Sequence, residues 1–409
     1  MTSDMYIPAA DSRRPGSANY DVVVVGGRVA GAATALLLAR CGHRVLVVDR
    51  ENAGSDTVST HTILRLGVLQ LKRWGLLDRI VEVGTPPIRR VTLGFGSELV
   101  PIDLSDDYGV DALYAPRRTT LDAIVVEAAI EAGAEFLHRT RMVDLLADKQ
   151  GRARGVLIDN SQGKNEIKAR FVVGADGVWS RIASLVGAVT YHNHPVTNSV
   201  YYAYYRGVPT DGVYFQFTTG ATAGLIPTND DKTCVYVGWP QREIQGFRTD
   251  PEAAFTEQLR RSHPNLASSV GAGERVSSFR GTPGLPGFLR QAGGPGWVLV
   301  GDAGYTKDPV SAHGISDALR DAEFCARALD EVLSDQASEE AAIARYQQVR
   351  DRLSVPILDQ SAQLASYRWD EAGASALMRN IGQSIKDECD EMTSLPSWSA
   401  VGNYLTMAS

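Results

Sequence analysis

Three glycines and an acid near the start of the chain have the types and spacing of a phosphate and sugar site. Gly26, Gly27 and Gly31 lie in the stretch GGRVAG, and Asp49 follows 23 positions after Gly26. Glycines let main-chain N–H groups approach a pyrophosphate, and an acid at this spacing accepts hydrogen bonds from ribose hydroxyls. Asp49 would also repel the 2′-phosphate of NADP. The set indicates a dinucleotide site, and an ordinary βαβ unit with a glycine turn is the alternative.

The surrounding elements suit that chemistry. Residues 22–25 are four valines, which predict a strand buried on both faces of a parallel sheet. The small and apolar segment 29–40 predicts a closely packed helix, and residues 44–48 predict a second strand that leads to the acid. Arg28 stands where the GxGxxG pattern has its second glycine, and we expect its guanidinium to lie against the phosphates instead.

Two later strands also end in glycine and acid. The segment 170–177, RFVVGADG, leads to Asp176, and the segment 297–304, WVLVGDAG, leads to Asp302. In open α/β sheets, ligands bind at the carboxyl ends of strands. A helix that begins at Gly314 adds free backbone N–H groups to the third segment.

Polar and aromatic side chains suggest where a substrate would lie. Ser59, Thr60 and His61 follow a strand end, although His61 is equally consistent with a satisfied loop histidine. Strands expected at residues 198–238 concentrate aromatic side chains, and with period-two alternation one face packs a core while the other covers a planar apolar ligand. The alternative is that these aromatics are sheet core. They are Tyr201, Tyr202, Tyr204, Tyr205, Tyr214, Phe215 and Phe217.

Composition limits the partners. The chain has 409 residues, 44% of them hydrophobic, and a net charge of −7 without a block of basic residues. This argues against nucleic acid or an anionic membrane as a partner and favours a small molecule. Four cysteines without CxxC spacing predict reduced thiols in a cytoplasmic protein, and no apolar run reaches the roughly twenty residues of a membrane span.

His192 and His194 form an HxH pair, for which we expect a surface role rather than a metal, because no acid or cysteine partner is apparent.

The three motifs, in this order, resemble a known family. GGRVAG at 26–31, GADG at 174–177, and GDAG at 301–304 followed by DPVSAHGISDA are similar to the FAD-dependent monooxygenases of the p-hydroxybenzoate hydroxylase fold, the class A flavoprotein hydroxylases. These are related to geranylgeranyl reductase-like oxidoreductases. The resemblance covers about residues 20–350 and implies FAD as cofactor, with NADPH or NADH as a transient reductant.

The implied fold class is α/β: a Rossmann-like FAD-binding domain, an inserted and mainly antiparallel β-sheet substrate domain, and a helical C-terminal segment. The expected bounds are a flexible N-terminal tail at 1–19, the FAD-binding domain at 20–88, 105–188 and 275–350, the substrate domain at 89–104 and 189–274, and a helical cap and tail at 351–409.

The resemblance also implies roles for residues. Arg118 opens an Arg-x-x-hydrophobic-Asp helix start and would contact the flavin nucleotide, although a cation at a helix start is also consistent with a solvated side chain. The expected cofactor-binding residues are Gly26, Gly27, Arg28, Ala30, Gly31, Asp49, Arg50, Arg118, Asp176, Gly177, Gly301, Asp302, Pro309, Gly314, Ile315 and Ser316. Polar groups expected to be catalytic beside the flavin ring are His61 and His313, and the expected substrate pocket comprises Tyr202, Tyr204, Phe215 and Phe217.

The implied function is hydroxylation of an aromatic or polyketide-like molecule by O2 through a flavin C4a-hydroperoxide, in a monomer or homodimer. Residues 312–316 read AHGIS where the family has Gly-Gln-Gly-hydrophobic-Asn, which places His313 by the ring. Alternatives are a flavin-dependent reductase of isoprenoid double bonds, a flavin halogenase, and a non-catalytic flavin-binding protein. The halogenase signature WxWxIP is not found, since residues 224–227 read GLIP.

Overall fold

A computed structural model describes residues 19–59 and 61–398. The expected N-terminal tail, apart from residue 19, the candidate Thr60 and the tail from residue 399 lie outside the described residues.

The described residues form nineteen strands and eleven α-helices in alternating groups. The strands are β1 Tyr20–Val25, β2 Val45–Val48, β3 Arg90–Phe95, β4 Glu98–Asp103, β5 Glu135–Leu137, β6 Arg141–Ala147, β7 Ala153–Asn160, β8 Gly163–Gly174, β9 Thr190–His194, β10 Asn198–Arg206, β11 Val213–Thr218, β12 Ala221–Thr228, β13 Lys232–Pro240, β14 Glu274–Arg275, β15 Arg280–Thr282, β16 Gly287–Arg290, β17 Gly293–Gly294, β18 Trp297–Leu299 and β19 Tyr305–Thr306. The helices are α1 Val29–Arg40, α2 Arg65–Arg73, α3 Leu77–Glu82, α4 Arg118–Glu131, α5 Arg181–Leu185, α6 Gln245–Thr249, α7 Pro251–Ser262, α8 Pro264–Gly271, α9 Gly314–Leu333, α10 Glu339–Ala365 and α11 Glu371–Ser394, with short 3-10 helices at Gln241–Glu243, Gly301–Ala303 and Pro309–Ser311.

The first sheet is built around β1, whose valines are buried on both faces. Its parallel core has the order β18-β8-β1-β2-β5, and β7 and β17 extend it with antiparallel pairs. Val22 and Val24 pack toward α1, α4 and α9, whereas Val23 and Val25 pack toward residues of β7 and β8. A continuous apolar run is what a strand covered on both sides requires, so the predicted Rossmann-like unit is confirmed.

The second sheet has the order β14-β10-β13-β12-β11-β3-β4, with β15 also paired to β10. All its pairs are antiparallel except β11 with β3, so the predicted, mainly antiparallel sheet is confirmed. The alternation along β10 separates neighbouring tyrosines: Tyr202 and Tyr204 face a core that includes α11, whereas Tyr205 faces the helices α6–α8.

The C-terminal segment is helical, as predicted. Helix α11 packs on α10 and α2 and reaches β3 of the second sheet. Two expected bounds differ from the structure. Helix α10 begins at Glu339 and runs through the expected boundary at 350, and β14 and β15 belong to the second sheet although residue 275 was the expected start of a first-domain segment. Both differences arise because strand pairing and helix continuity depend on distant partners.

A third sheet of three strands, β19-β16-β9, joins the segment before β10 to the loop after β18. Among the helices within residues 19–59 and 61–398, none has the length and apolar character needed to cross a bilayer.

Candidate functional site

The three glycine motifs meet at the carboxyl ends of β1, β8 and β18. A Cβ added to Gly26 would lie 2.3 Å from the carbonyl oxygen of Ala175, and a Cβ added to Gly301 would lie 2.9 Å from the Cβ of Ala30. A Cβ on Gly31 would lie 1.9 Å from the carbonyl oxygen of Gly26, whose φ of +106° also excludes ordinary side chains. The glycines therefore allow three backbone segments to come into contact, which brings residues 26–31, 174–177 and 301–304 into one site.

Asp49 lies at the end of β2 on the same edge. Its Oδ2 accepts a hydrogen bond of 2.6 Å from the Gly27 N–H, and its Oδ1 accepts one of 2.7 Å from the Glu51 N–H. Each carboxylate oxygen has a further lone pair, so Asp49 can still accept ribose hydroxyls. A cleft opens beside it, lined by Gly27, Arg28, Asp49, Glu51, Asn52, Ala53, Gly54, Ser55, Asp122, Ala123, Val126 and His138.

Two guanidinium groups share one carboxylate at this cleft. Arg118 binds Asp122 through two hydrogen bonds of 3.0 and 3.1 Å, and Arg28 Nη1 lies 3.4 Å from Asp122 Oδ2. Burial raises the pKa of Asp122, although both arginines act to lower it. The group therefore carries a net charge of at least plus one beside the N-terminus of α1, which favours a phosphate. Arg28 also donates to the carbonyl oxygens of Ser55 and Asp56.

Asp302, which follows β18, combines an exposed side chain with a shifted pKa. Its side chain is exposed to solvent, yet desolvation by the surrounding protein raises its pKa, while Lys307 and Arg118 act to lower it. Both observations fit a carboxylate that reaches solvent on one side and is surrounded by protein on the others. The charge of Arg118 acts on Asp302, so the start of α4 lies on the same side of the fold as the third motif.

The loop after Asp302 offers several unsatisfied polar atoms. Asp308 Oδ1 accepts hydrogen bonds of 2.9 Å from Asn198 Nδ2 and 3.0 Å from the Val310 N–H, whereas no partner for Oδ2 is found among the described residues. Burial raises the pKa of Asp308 to about 6, against hydrogen bonds that lower it. The buried hydroxyls of Ser311 and Ser316 likewise lack a partner within the described part of the chain. Such atoms at the N-terminus of α9 suit a ligand with its own donors and acceptors.

His61 belongs to a second polar group, on the aromatic side of the site. Its Nε2 forms a hydrogen bond with the Tyr204 hydroxyl, and the Arg117 guanidinium lies 4.1 Å from the centre of the Tyr204 ring. The Ser59 N–H donates to the Tyr202 hydroxyl over 3.2 Å. Burial, and then the charge of Arg117, lower the pKa of His61 to about 3. The imidazole is therefore neutral at physiological pH and acts as a hydrogen-bonding group rather than a cation.

His313 is fully buried and its Nε2 lies 2.6 Å from Glu388 Oε2 on α11. Arg320 contacts the same carboxylate, and Lys307 pairs with Asp317. Burial, then Arg320, lower the pKa of Lys307 to about 7. These contacts tie the start of α9 to the C-terminal helix, and a role of His313 at the flavin ring stays a prediction.

The expected pocket residues lie on one face of the second sheet. Tyr202, Tyr204, Phe215 and Phe217 are all buried and belong to the same apolar cluster, which includes residues of α11. Val310 and Ala312, in the loop before α9, pack against this cluster. The aromatic face therefore adjoins the loop that ends at α9, which is where the resemblance places the flavin ring.

The remaining expected cofactor residues have varied surroundings. Asp176 caps the start of α5, since its carboxylate accepts hydrogen bonds from the Ser180 hydroxyl and from the backbone N–H groups of residues 181 and 182. Arg50 is exposed and pairs with Glu51. Gly177 and Gly314 have open space at their Cβ positions, Pro309 is half-buried and Ile315 is buried. Their contacts with a cofactor stay predictions.

Two charged residues near the site were not among the expected site residues. Asp56 accepts hydrogen bonds from Arg117, over 3.2 Å, and from Arg280, over 2.6 Å. Arg280, on β15, lies 224 positions after Asp56, so no local sequence pattern could indicate this ion pair. Asp308 is the second, because an acid before a proline reads as an ordinary turn.

Residues 19–361 match a family model described as an FAD binding domain. The chain belongs to this family of FAD-binding flavoenzymes. It is 26% identical over 342 residues to digeranylgeranylglycerophospholipid reductase 2 of Methanopyrus kandleri, which covers 80% of this chain and 80% of that protein. It is 27% identical over 314 residues to 6-methylpretetramide 4-monooxygenase of Streptomyces rimosus, which covers 75% and 74%.

The fold is that of known flavoenzymes. The structure of P. aeruginosa PqsL in complex with 2-aminobenzoylacetate has a TM-score of 0.79 to this chain at 24% identity, covering 88% of this chain and 100% of PqsL. The site residues fit FAD. The close contacts at Gly26 and Gly31 leave no room for a side chain at the start of α1, Arg28 and Arg118 bring two positive charges to Asp122, and buried polar atoms that have no partner among the described residues lie near the start of α9.

Proposed function

We propose that this flavoenzyme is an NAD(P)H-consuming monooxygenase that hydroxylates an aromatic or polyketide-like small molecule. The observation that carries the proposal is the aromatic face of the second sheet, which packs beside the loop before α9 and carries the neutral pair of His61 and Tyr204. A planar apolar substrate would stack against these aromatic side chains, in place of contacts that they now make with one another.

Bound FAD supplies the transfer of electrons from NAD(P)H to O2. In the overall reaction one O2, one NAD(P)H and one proton hydroxylate one substrate, and NAD(P)⁺ and one water leave. The chain's own task is to hold the substrate and exclude water, and the buried side chains of Tyr202, Phe215 and Phe217 serve that task.

His61 orients the substrate in this proposal. Its Nδ1 is buried and has no partner among residues 19–59 and 61–398. Because the imidazole is neutral, Nδ1 either donates to or accepts from a phenol or carbonyl group, according to the tautomer. A buried, unpaired nitrogen costs about 1–3 kcal/mol, and a substrate that pairs with it recovers that cost.

A reductase of isoprenoid double bonds is the second candidate, because the Methanopyrus kandleri relative named above is a reductase that covers most of this chain. The two candidates differ in their use of O2: a double-bond reductase consumes its reductant without O2, and a monooxygenase requires one O2 for each product.

The test is O2 uptake by the purified, FAD-loaded protein with NADPH or NADH, with and without a panel of phenolic and polycyclic compounds. Uptake that a compound stimulates, with a product heavier by one oxygen, supports the proposal. Anaerobic product formation that adds two hydrogens supports the reductase instead.

Two variants on one strand sharpen the result. Tyr204→Phe removes the His61 hydrogen bond, whereas Tyr205→Phe makes the same chemical change on the opposite face of β10. Tyr204→Phe should lower the fraction of NAD(P)H that yields product and raise H2O2 release, and Tyr205→Phe should leave both unchanged. Equal effects of the two variants would show that the aromatic face is not part of the active site.

A further inference from the structure

The HxH pair on β9 has an acid partner after all. His192 Nε2 lies 2.6 Å from Asp359 Oδ1, and His194 Nε2 lies 2.7 Å from the same oxygen. The expectation that this pair lacks an acid partner is therefore wrong. Asp359 lies on α10, 165 positions after His194, which is why no spacing rule finds it.

We propose that His192, His194 and Asp359 bind a divalent transition-metal ion, with Zn²⁺ as the best fit. One ligand atom from each residue lies within 4.8 Å of the other two. Imidazole and carboxylate ligands bind Zn²⁺ at about 2.0–2.2 Å, so ligand atoms around one ion lie roughly 3.2–3.6 Å apart. The two imidazole nitrogens lie 2.6 and 2.7 Å from Asp359 Oδ1, so each would move away from that oxygen by roughly 0.5–1 Å to reach that spacing.

The local backbone aims both rings at one point. The pairing of β9 with β16 shifts register between the partners Gly287 and Leu289, and His192 has a φ of +54°, a region that non-glycine residues rarely adopt. The two imidazole rings are 5.4 Å apart at an angle of 74°. The three side chains are between 28% and 39% exposed, which leaves room for water to complete a tetrahedral set.

The charge around the triad also suits a cation. The other His and acid cluster in the described residues, His313 with Asp317 and Glu388, already contains the cations of Lys307 and Arg320. An added metal ion there would meet two positive charges. At the β9 triad, Asp359 pairs with no lysine or arginine among the described residues, and Arg350, which contacts Tyr191 of β9, pairs with Asp351.

A bound ion would join β9 to α10. The strand β9 leads directly into β10 of the second sheet, and α10 belongs to the C-terminal helical segment. The ion would therefore fix the segment that enters the aromatic sheet. Zn²⁺ undergoes no redox change, so its effect is on stability and not on electron transfer.

The experiment uses tag-free, FAD-loaded protein, because a histidine tag binds Zn²⁺ itself. Zn²⁺ is titrated in competition with a chromophoric chelator, and Tm is measured with and without the ion. We expect one ion per chain and a rise in Tm of the order of a few degrees. His194→Gln and Asp359→Asn should each weaken binding at least tenfold and abolish the rise.

His43→Gln is the matched control. His43 also forms a single 2.7 Å contact with an aspartate, Asp330, but belongs to no cluster of three possible metal ligands among the described residues. This variant should bind Zn²⁺ as the parent does. The flavin absorbance spectrum confirms that each variant is folded. Binding that is absent in the parent, or that is unchanged in both His194→Gln and Asp359→Asn, would overturn the proposal.

Discussion

Replacing Asp308 by asparagine should stabilise the protein increasingly as the pH rises. The carboxyl is buried beside the loop that precedes α9, and burial raises its pKa to about 6 from the ordinary 3.8. Asparagine has the same shape, and its Oδ1 can keep the hydrogen bonds from Asn198 and the Val310 N–H. The variant therefore removes the ionisation and little else.

The sign follows from proton binding. Between about pH 3.8 and pH 6 the folded protein holds a proton on Asp308 that the unfolded chain has lost, so rising pH lowers the free energy of unfolding. The loss is about 1 kcal/mol at pH 4.5 and approaches about 3 kcal/mol at pH 7.5, which is the shift multiplied by 1.36 kcal/mol per unit. Asparagine does not ionise, so the variant does not lose this part of the free energy of unfolding. The advantage of Asp308→Asn should grow by about 2 kcal/mol across this range, or about 2 °C in Tm for a chain of this length.

The assay is thermal unfolding of the parent and Asp308→Asn between pH 4.5 and pH 7.5, at one FAD concentration. Only the difference between the two proteins is used, since other groups titrate equally in both. Asp106→Asn, at an exposed position, controls for the deletion of a carboxylate. A difference in Tm that stays constant over this range would show that Asp308 titrates at its ordinary value, and the reasoning from burial would fail.

Three other changes test the site. Gly31→Ala should yield protein with little FAD by absorbance ratio, because the new Cβ meets a backbone oxygen at 1.9 Å, whereas Gly382→Ala, in open space, should retain it. Arg28→Met should weaken FAD binding at least tenfold in a fluorescence titration, as loss of a charge-assisted hydrogen bond costs about 1.5–3 kcal/mol, and an unchanged Kd would contradict the phosphate role. Nitrogen NMR at pH 5 should show a neutral imidazole that is missing from His61→Gln, since burial lowers that pKa to about 3; a protonated ring would refute it.

Much of the fold could be predicted because its signals are local. The run of residues 22–25 is apolar at every position, which only a strand covered on both faces requires, and the structure buries all four. The alternation of side chains along residues 201–205 likewise predicts two faces of β10, and the structure places Tyr202 and Tyr204 on one face and Tyr205 on the other. Each of these signals arises from the period of one element and needs no knowledge of its neighbours.

The charged contacts could not be predicted, because their partners lie far apart in sequence. Glu388 meets His313 across 75 positions, and Arg280 meets Asp56 across 224. A histidine placed beside the flavin ring by motif position is, in the folded chain, held by a carboxylate of the last helix. Motif spacing locates a backbone position, but the partner of its side chain decides what the residue can do.

Arg28 shows how a motif tolerates one change and not another. Its φ of −84° and ψ of −172° are extended, so the position accepts any side chain. Gly26, with a φ of +106°, and Gly31, with a backbone oxygen 1.9 Å from an added Cβ, have no such freedom. The second glycine of the pattern is therefore replaceable in this chain, and its replacement reaches across the cleft to Asp122 and the 55–56 loop. The departure from the pattern thus adds a cation at the start of α1, where we expect the phosphates of FAD, while the turn keeps its shape.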